Sequence, residues 1–168
     1  TFGRSAGDYP ATTPRQFPGV DGSVSYEEGV FVGYRHFDAA GVDPLFPFGH
    51  GHSYAGFEYG DLSIAGDPLP ETATVEVTNT ANRTGREVVQ VYAAPPEGVE
   101  RPPRELVGSA LVAVDADETR SVAVPIDERA LSHYDEDEGW TVQPGEYELT
   151  ASRSSRDHRS RTTVVLDH

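Results

Sequence analysis

The stretch PLFPFGHGHSY, from Pro44 to Tyr54, places His50 and His52 on either side of one glycine. In extended backbone that spacing turns both imidazoles to the same side, as two neighbouring zinc or copper ligands would need. A third ligand would have to come from His36, Asp38 or Asp43, and none of these stands at a familiar ligand spacing. Turn histidines held by backbone hydrogen bonds are far commoner than ligands. No metal and no other cofactor is expected.

Carboxylates offer a second chemistry. Glycoside hydrolysis needs two carboxyls facing each other across the scissile bond, one protonated and one ionised. YDEDEGW (Tyr134 to Trp140) and YEEG (Tyr26 to Gly29) supply adjacent acids. Neighbours on a strand point to opposite faces, and neighbours on a turn face water. In a chain with 28 acidic residues such runs follow from composition, so no catalytic residue is assigned. No GxSxG nucleophile elbow and no phosphate-binding glycine loop occurs. Sugar binding would need exposed, coplanar aromatics. Tyr134 with Trp140 is the one candidate pair, although a buried tryptophan anchoring a sandwich is the competing expectation. The arginine-rich SRSSRDHRSR, Ser152 to Arg161, is expected to be a hairpin loop whose arginines pair with nearby carboxylates.

The elements that would position these groups follow from pattern. Seven segments read as strands: Tyr59–Gly66, Thr72–Thr80, Arg86–Ala93, Leu106–Val114, Thr119–Ile126, Gly145–Ser152 and Arg161–Leu166. TATVEVTNT shows the alternation best, with Ala73, Val75 and Val77 on one face. Asp127 is placed to cap a single helical turn in DERALSHY. The fold class is therefore mainly β, an immunoglobulin- or fibronectin type III-like sandwich of about seven strands. Before it, residues 1–59 form an irregular, aromatic-rich segment with one expected strand, Gly29 to Phe37. That segment cannot close a core alone, so it reads as the tail of another domain, with residues 60–168 as the sandwich.

Composition limits the partners. All 13 basic residues are arginine, no lysine occurs, and the net charge is -15. A dispersed acidic surface of this kind suits high salt, where self-repulsion is screened. It argues against nucleic acid and against anionic membranes as partners. The absence of cysteine excludes disulfides and thiolate-bound zinc. No apolar run reaches membrane-spanning length and no signal peptide is visible, which leaves the compartment, cytoplasmic or secreted, open. With no methionine at its start, the chain is expected to be a piece of something longer.

The order of the motifs resembles a known family. YEEGVFVGYRHFDAAGVDPLFPFGHGHSYAGFEY is similar to a segment near the C-terminus of family 3 glycoside hydrolases, the β-glucosidase and β-xylosidase family. VEVTNTANRTGREVVQVY, RPPRELVG, ERALSHYDEDEGWTVQPGEYEL and SRSSRDHR resemble the fibronectin type III-like module that ends many members, and DYPATTPRQFPG also fits. His52 departs from the leucine usual at that place. The resemblance implies a retaining glycosidase as parent. Its aspartate nucleophile would lie in an N-terminal barrel and its glutamate acid/base in a middle α/β sandwich domain. No position here matches either motif. The implied partners are those upstream domains. The implied site is their packing surface, with Tyr34, Arg35, Phe46, Phe48, His50, Tyr54 and Phe57 as candidates. An oligosaccharide contact or adhesion role for the sandwich is the alternative.

Overall fold

The structure is a computed structural model that describes residues 1–167. Its main body is a β-sandwich. One sheet is formed by β1 (Phe57–Ala65), β2 (Thr72–Asn79) and β5 (Thr119–Pro125), in the order β1-β2-β5. The other contains β3 (Gly85–Ala94), β4 (Glu105–Val114), β8 (Gly145–Ser154) and β9 (Asp157–Leu166), in the order β4-β3-β8-β9. All named pairs are antiparallel. The seven strands predicted for the sandwich all form, each within a few residues of its expected limits.

The period-2 pattern explains the core. Val75 and Val77 of β2 and Val122 and Val124 of β5 point inward. They meet Val89 and Val91 of β3 and Tyr147, Leu149 and Ala151 of β8. Asn79, fully buried, closes one end of this core: its Nδ2 donates to the carbonyls of Arg83 (2.7 Å) and Val114 (3.0 Å), and its Oδ1 accepts from the Ala81 amide (2.9 Å). A buried amide is tolerable only when paired in this way. The short helix α2 (Glu128–Leu131) follows β5 and packs beside β4. The Asp127 carboxylate accepts from the Arg129 amide at 2.8 Å, as its capping position predicts, and Leu131 drops into the core.

Three expectations need correction. Gly29 to Phe37 is not a strand. Turns lead to Gly33 at φ 55°, and a helix, α1 (Tyr34–Ala39), follows. Apolar groups on alternate positions fitted a doubly covered strand, but Gly33 interrupts it, and YRHFDA contains no β-branched residue to oppose helix. Residues 152–161 are not a loop: they form the ends of β8 and β9, joined by a tight turn at Ser155 and Arg156. Trp140 is not a core anchor. It lies 53 % exposed on a small hairpin of β6 (His133–Asp135) and β7 (Gly139–Thr141) that pattern alone did not reveal.

Candidate functional site: a segment clasped to the outer face of a sheet

The alternation in β3 fails in an informative way. Val89 and Val91 face the core, yet the outward Gln90 and Tyr92 are also buried, at 5 % and 1 % exposure. In β8 the outward Thr150 and Ser152 are likewise buried. A sheet buried on both faces must be covered on its outer side. Here the N-terminal segment supplies the cover.

Tyr34 and Phe37, three residues apart in α1, share one helix face. The Tyr34 ring meets Tyr92 edge-on at 5.7 Å and Phe48 at 5.5 Å. Its hydroxyl accepts from the Leu106 amide at 2.8 Å, which ties α1 to β4. Phe37, 1 % exposed, meets Tyr9 edge-on. Tyr92 donates its hydroxyl to Gln90 Oε1 at 2.6 Å. Burial, aided by neighbouring Tyr34 and Asp38, pushes the Tyr92 phenol far above its ordinary value, so it stays a donor.

The PLFPFGHGHSY loop lies on this face. The Phe48 carbonyl accepts from the Ser155 amide at 2.9 Å. Gly49, at φ 83°, passes so close to the Gln90 amide that a side chain would collide with it. His50 and His52 stack edge-on at 5.0 Å in an open cleft of about 440 Å³ that also includes Arg86, Arg153 and Asp157. His36 points elsewhere, its Nε2 3.1 Å from the Asp8 carbonyl. Among the described residues, no group of three or more His, Cys, Asp or Glu side chains is arranged to hold a metal.

Arginines fasten the segment. Arg156, in the β8–β9 turn, pairs through Nε with Asp38 Oδ1 at 2.9 Å and donates Nη2 to the carbonyls of Phe37 and Val42. Asp38 is 9 % exposed in its side chain, and its Oδ2 has no partner among the described residues. Burial raises its carboxyl above the ordinary value, against the lowering effect of Arg156. Arg35 reaches Glu105 at 3.5 Å, and Arg101 holds the same carboxylate at 2.7 Å. The basic tract is charge-paired throughout: Arg153 with Glu87, Arg156 with Asp38, Arg159 with Asp157 and Arg161 with Glu148.

The far side of the segment is unlike its inner side. Phe2, Phe17, Tyr26, Leu45 and Tyr54 are all more than half exposed, with Tyr54 at 93 %. Of the residues expected at a packing surface, Tyr34, Phe48 and Arg35 touch the sandwich, and Phe46 bridges to Phe2. His50 lies beside Phe46 at 5.1 Å, Tyr54 faces outward, and Phe57 is in the sandwich core. Gln90 and Tyr92 were not singled out from sequence; Asp38 was weighed only as a metal ligand, and Arg156 only as one arginine of the tract expected to pair with carboxylates. The one available signal was Gln90, a polar residue in the run VVQVY.

In the acidic runs, Glu27 lies 3.9 Å from Arg15 and Glu28 accepts from the Gln16 side chain at 3.4 Å. Asp135 accepts from the amides of Asp137 and Glu138, which holds its exposed carboxyl below the ordinary value and merely shapes a turn. Tyr134 and Trp140 lie 5.6 Å apart at 71°, so they do not form a flat platform, and Arg129 covers the indole at 4.1 Å.

The architecture is that of a fibronectin type III-like sandwich wearing a clasped N-terminal segment, and the fibronectin type III-like domain model matches residues 87–155. The chain is 41 % identical over 147 residues to thermostable β-glucosidase B of Acetivibrio thermocellus, 84 % of this chain but 20 % of that protein. It is 42 % identical over 164 residues to an exo-α-(1→6)-L-arabinopyranosidase of Bifidobacterium breve, 95 % of this chain and 21 % of the relative. The crystal structure of a family 3 β-glucosidase from Bifidobacterium adolescentis superposes with a TM-score of 0.92 at 37 % identity, over 99 % of this chain and 25 % of that one. The chain therefore contains a fibronectin type III-like domain and is homologous, over nearly its whole length, to a part of family 3 β-glucosidases. It spans about a fifth of the length of the curated relatives it matches.

Proposed function

We propose that this chain is the C-terminal accessory region of a retaining β-glucosidase-type glycoside hydrolase, in which it braces the catalytic domains. The observation that carries this is the match of both segment and sandwich, together, to a quarter of a family 3 β-glucosidase. The division proposed is residues 1–59 as the tail of an upstream α/β sandwich domain and 60–168 as the fibronectin-like module, whose first strand begins three residues before that limit, at Phe57. The catalytic aspartate and glutamate belong to the upstream barrel and sandwich domains. The segment's exposed Phe2, Phe17, Tyr26 and Tyr54 are large apolar groups for those domains to cover. Relatives differ in the sugar their names carry, and the pocket that selects it lies outside this chain. The lysine-free, acidic surface supports a high-salt setting for the whole protein.

The test compares this chain with the full product of the gene that encodes it. The full product is expected to hydrolyse an aryl β-glucoside or an aryl α-L-arabinopyranoside, and the 168-residue chain neither. Turnover by this chain alone, abolished by replacing one of its carboxylates, overturns the proposal. So does a full product inactive on every aryl glycoside.

A further inference from the structure

The β6–β7 hairpin has no part in the clasp. Two three-residue strands are marginal as an isolated unit, yet this hairpin holds the chain's one tryptophan half-exposed beside the sandwich. Trp140 lines two clefts. One also contains Arg129, which stacks against the indole. The other is an open cleft of about 690 Å³ that Arg129 does not line. This volume lies within the range of small-ligand sites.

Three features of that cleft define its ligand. Its apolar lining includes Trp140, Leu69, Ile126 and Val142, with prolines around them. Its charged lining consists of Glu71, Glu128 and Glu138, all exposed and all acceptors only. No basic side chain lines it among the described residues. An anion is repelled, and a purely apolar ligand leaves the carboxylates unused. A neutral sugar fits both: its C–H face packs on an aromatic or aliphatic wall while its hydroxyls donate to carboxylates. We infer that this cleft binds a neutral oligosaccharide, making the module an ancillary sugar site remote from catalysis. The choice of ligand rests on the glycosidase reading above; the cleft does not.

Trp140 is the chain's only tryptophan, so emission changes come from the two clefts it lines, and Glu128 and Glu138, which line only this one, tell them apart. Titration of the 168-residue chain with cellotetraose or laminaritetraose is expected to give a saturable change in emission. Ligand-observed NMR should show saturation transfer to the sugar. Glu128→Gln and Glu138→Gln, both at exposed positions, should each weaken binding about tenfold. Trp140→Ala should abolish saturation transfer; should that variant fail to fold, the two glutamine variants still decide. No response to either saccharide overturns the inference. A response to spermidine but to neither sugar does so too, since the cleft is then a cation site. Aryl-glycoside hydrolysis by the full gene product is measured in parallel. Retained hydrolysis without tetrasaccharide binding removes this inference and leaves the proposed function standing.

Discussion

Arg156 and Asp38, 118 positions apart in sequence, meet at 2.9 Å and join the β8–β9 turn to the end of helix α1. The same guanidinium caps two backbone carbonyls at the end of that helix. Without it, a carboxylate that is nine-tenths buried would face no cation at contact distance. Arg156→Ala is therefore expected to cost about 2–3 kcal/mol, the range for removing one partner of a largely buried pair after allowing for the partial exposure of Arg156. In a chain of this size that lowers Tm by about 4–12 °C. Asp38→Asn removes the buried charge and keeps an acceptor for Arg156, so its loss should be smaller. Thermal melts of both variants check this. An Asp38→Asn loss equal to or larger than that of Arg156→Ala would show that the ion pair outweighs the desolvation of Asp38.

His158 gives the fold a pH dependence. Its Nδ1 lies 2.9 Å from Ser152 Oγ and its Nε2 faces the Arg104 guanidinium, which can only donate. Nε2 must accept, so the imidazole is neutral with its proton on Nδ1. Burial first, then Arg104, with smaller contributions from Arg156 and Arg161, hold its pKa below the ordinary 6.5, while Asp157 opposes them. A depressed folded pKa means that the unfolded chain binds the proton more tightly. The contribution is fully present above pH 6.5 and is lost as pH falls through the folded value. The gap in Tm between wild type and His158→Gln should therefore narrow on acidification from pH 7.5 to pH 5, about pH 6.5 as the ordinary value. A gap that stays constant would rule out this linkage.

The two ends of the GHGH tetrad behave differently. Gly49 has φ 83° and sits against the Gln90 amide. Gly49→Ala adds left-handed strain of about 1–2 kcal/mol and a clash with a buried side chain. A fall in Tm of at least about 4 °C is expected. His52 is exposed and has no hydrogen-bond partner among the described residues. His52→Leu should leave Tm unchanged or slightly raised in scanning calorimetry. A clear fall would reveal a polar contact at His52.

The sandwich was legible because period-2 patterns report a face turned to a local core, and Ala73, Val75 and Val77 obey that rule. The clasp was less so. Asp38 pairs with a residue 118 positions away, and nothing local to FDAAG marks it as buried. Gly33 misled in the opposite direction: apolar neighbours on alternate sides suggested a strand, while the glycine's positive φ started a helix. Trp140 was weighed as a sugar-binding residue against a buried anchor of the kind immunoglobulin-like sandwiches carry, yet the buried core here holds Tyr147 and Leu131 instead. The outward Gln90 was the best clue to the hidden face, since a polar side chain inside VVQVY needs partners, which it finds in the Arg153 carbonyl of β8 and the Tyr92 hydroxyl of β3.

Salt should stabilise the chain. The net charge of -15 arises from 28 acidic and 13 basic residues, and many of the carboxylates lie on the surface without an arginine. Self-repulsion among them opposes the compact state. Raising ionic strength from about 0.1 M to about 1 M shortens the screening length from about 10 Å to about 3 Å, which weakens that repulsion more than the short Arg156–Asp38 and Arg153–Glu87 contacts, both partly shielded by burial. Tm is expected to rise by several degrees between 0.1 M and 2 M sodium chloride, with a plateau once screening is complete. The rise should be smaller in a variant carrying Glu136→Gln, Asp137→Asn and Glu138→Gln, which relieves the densest acidic turn. A Tm that falls or stays flat over this range would count against adaptation to high salt.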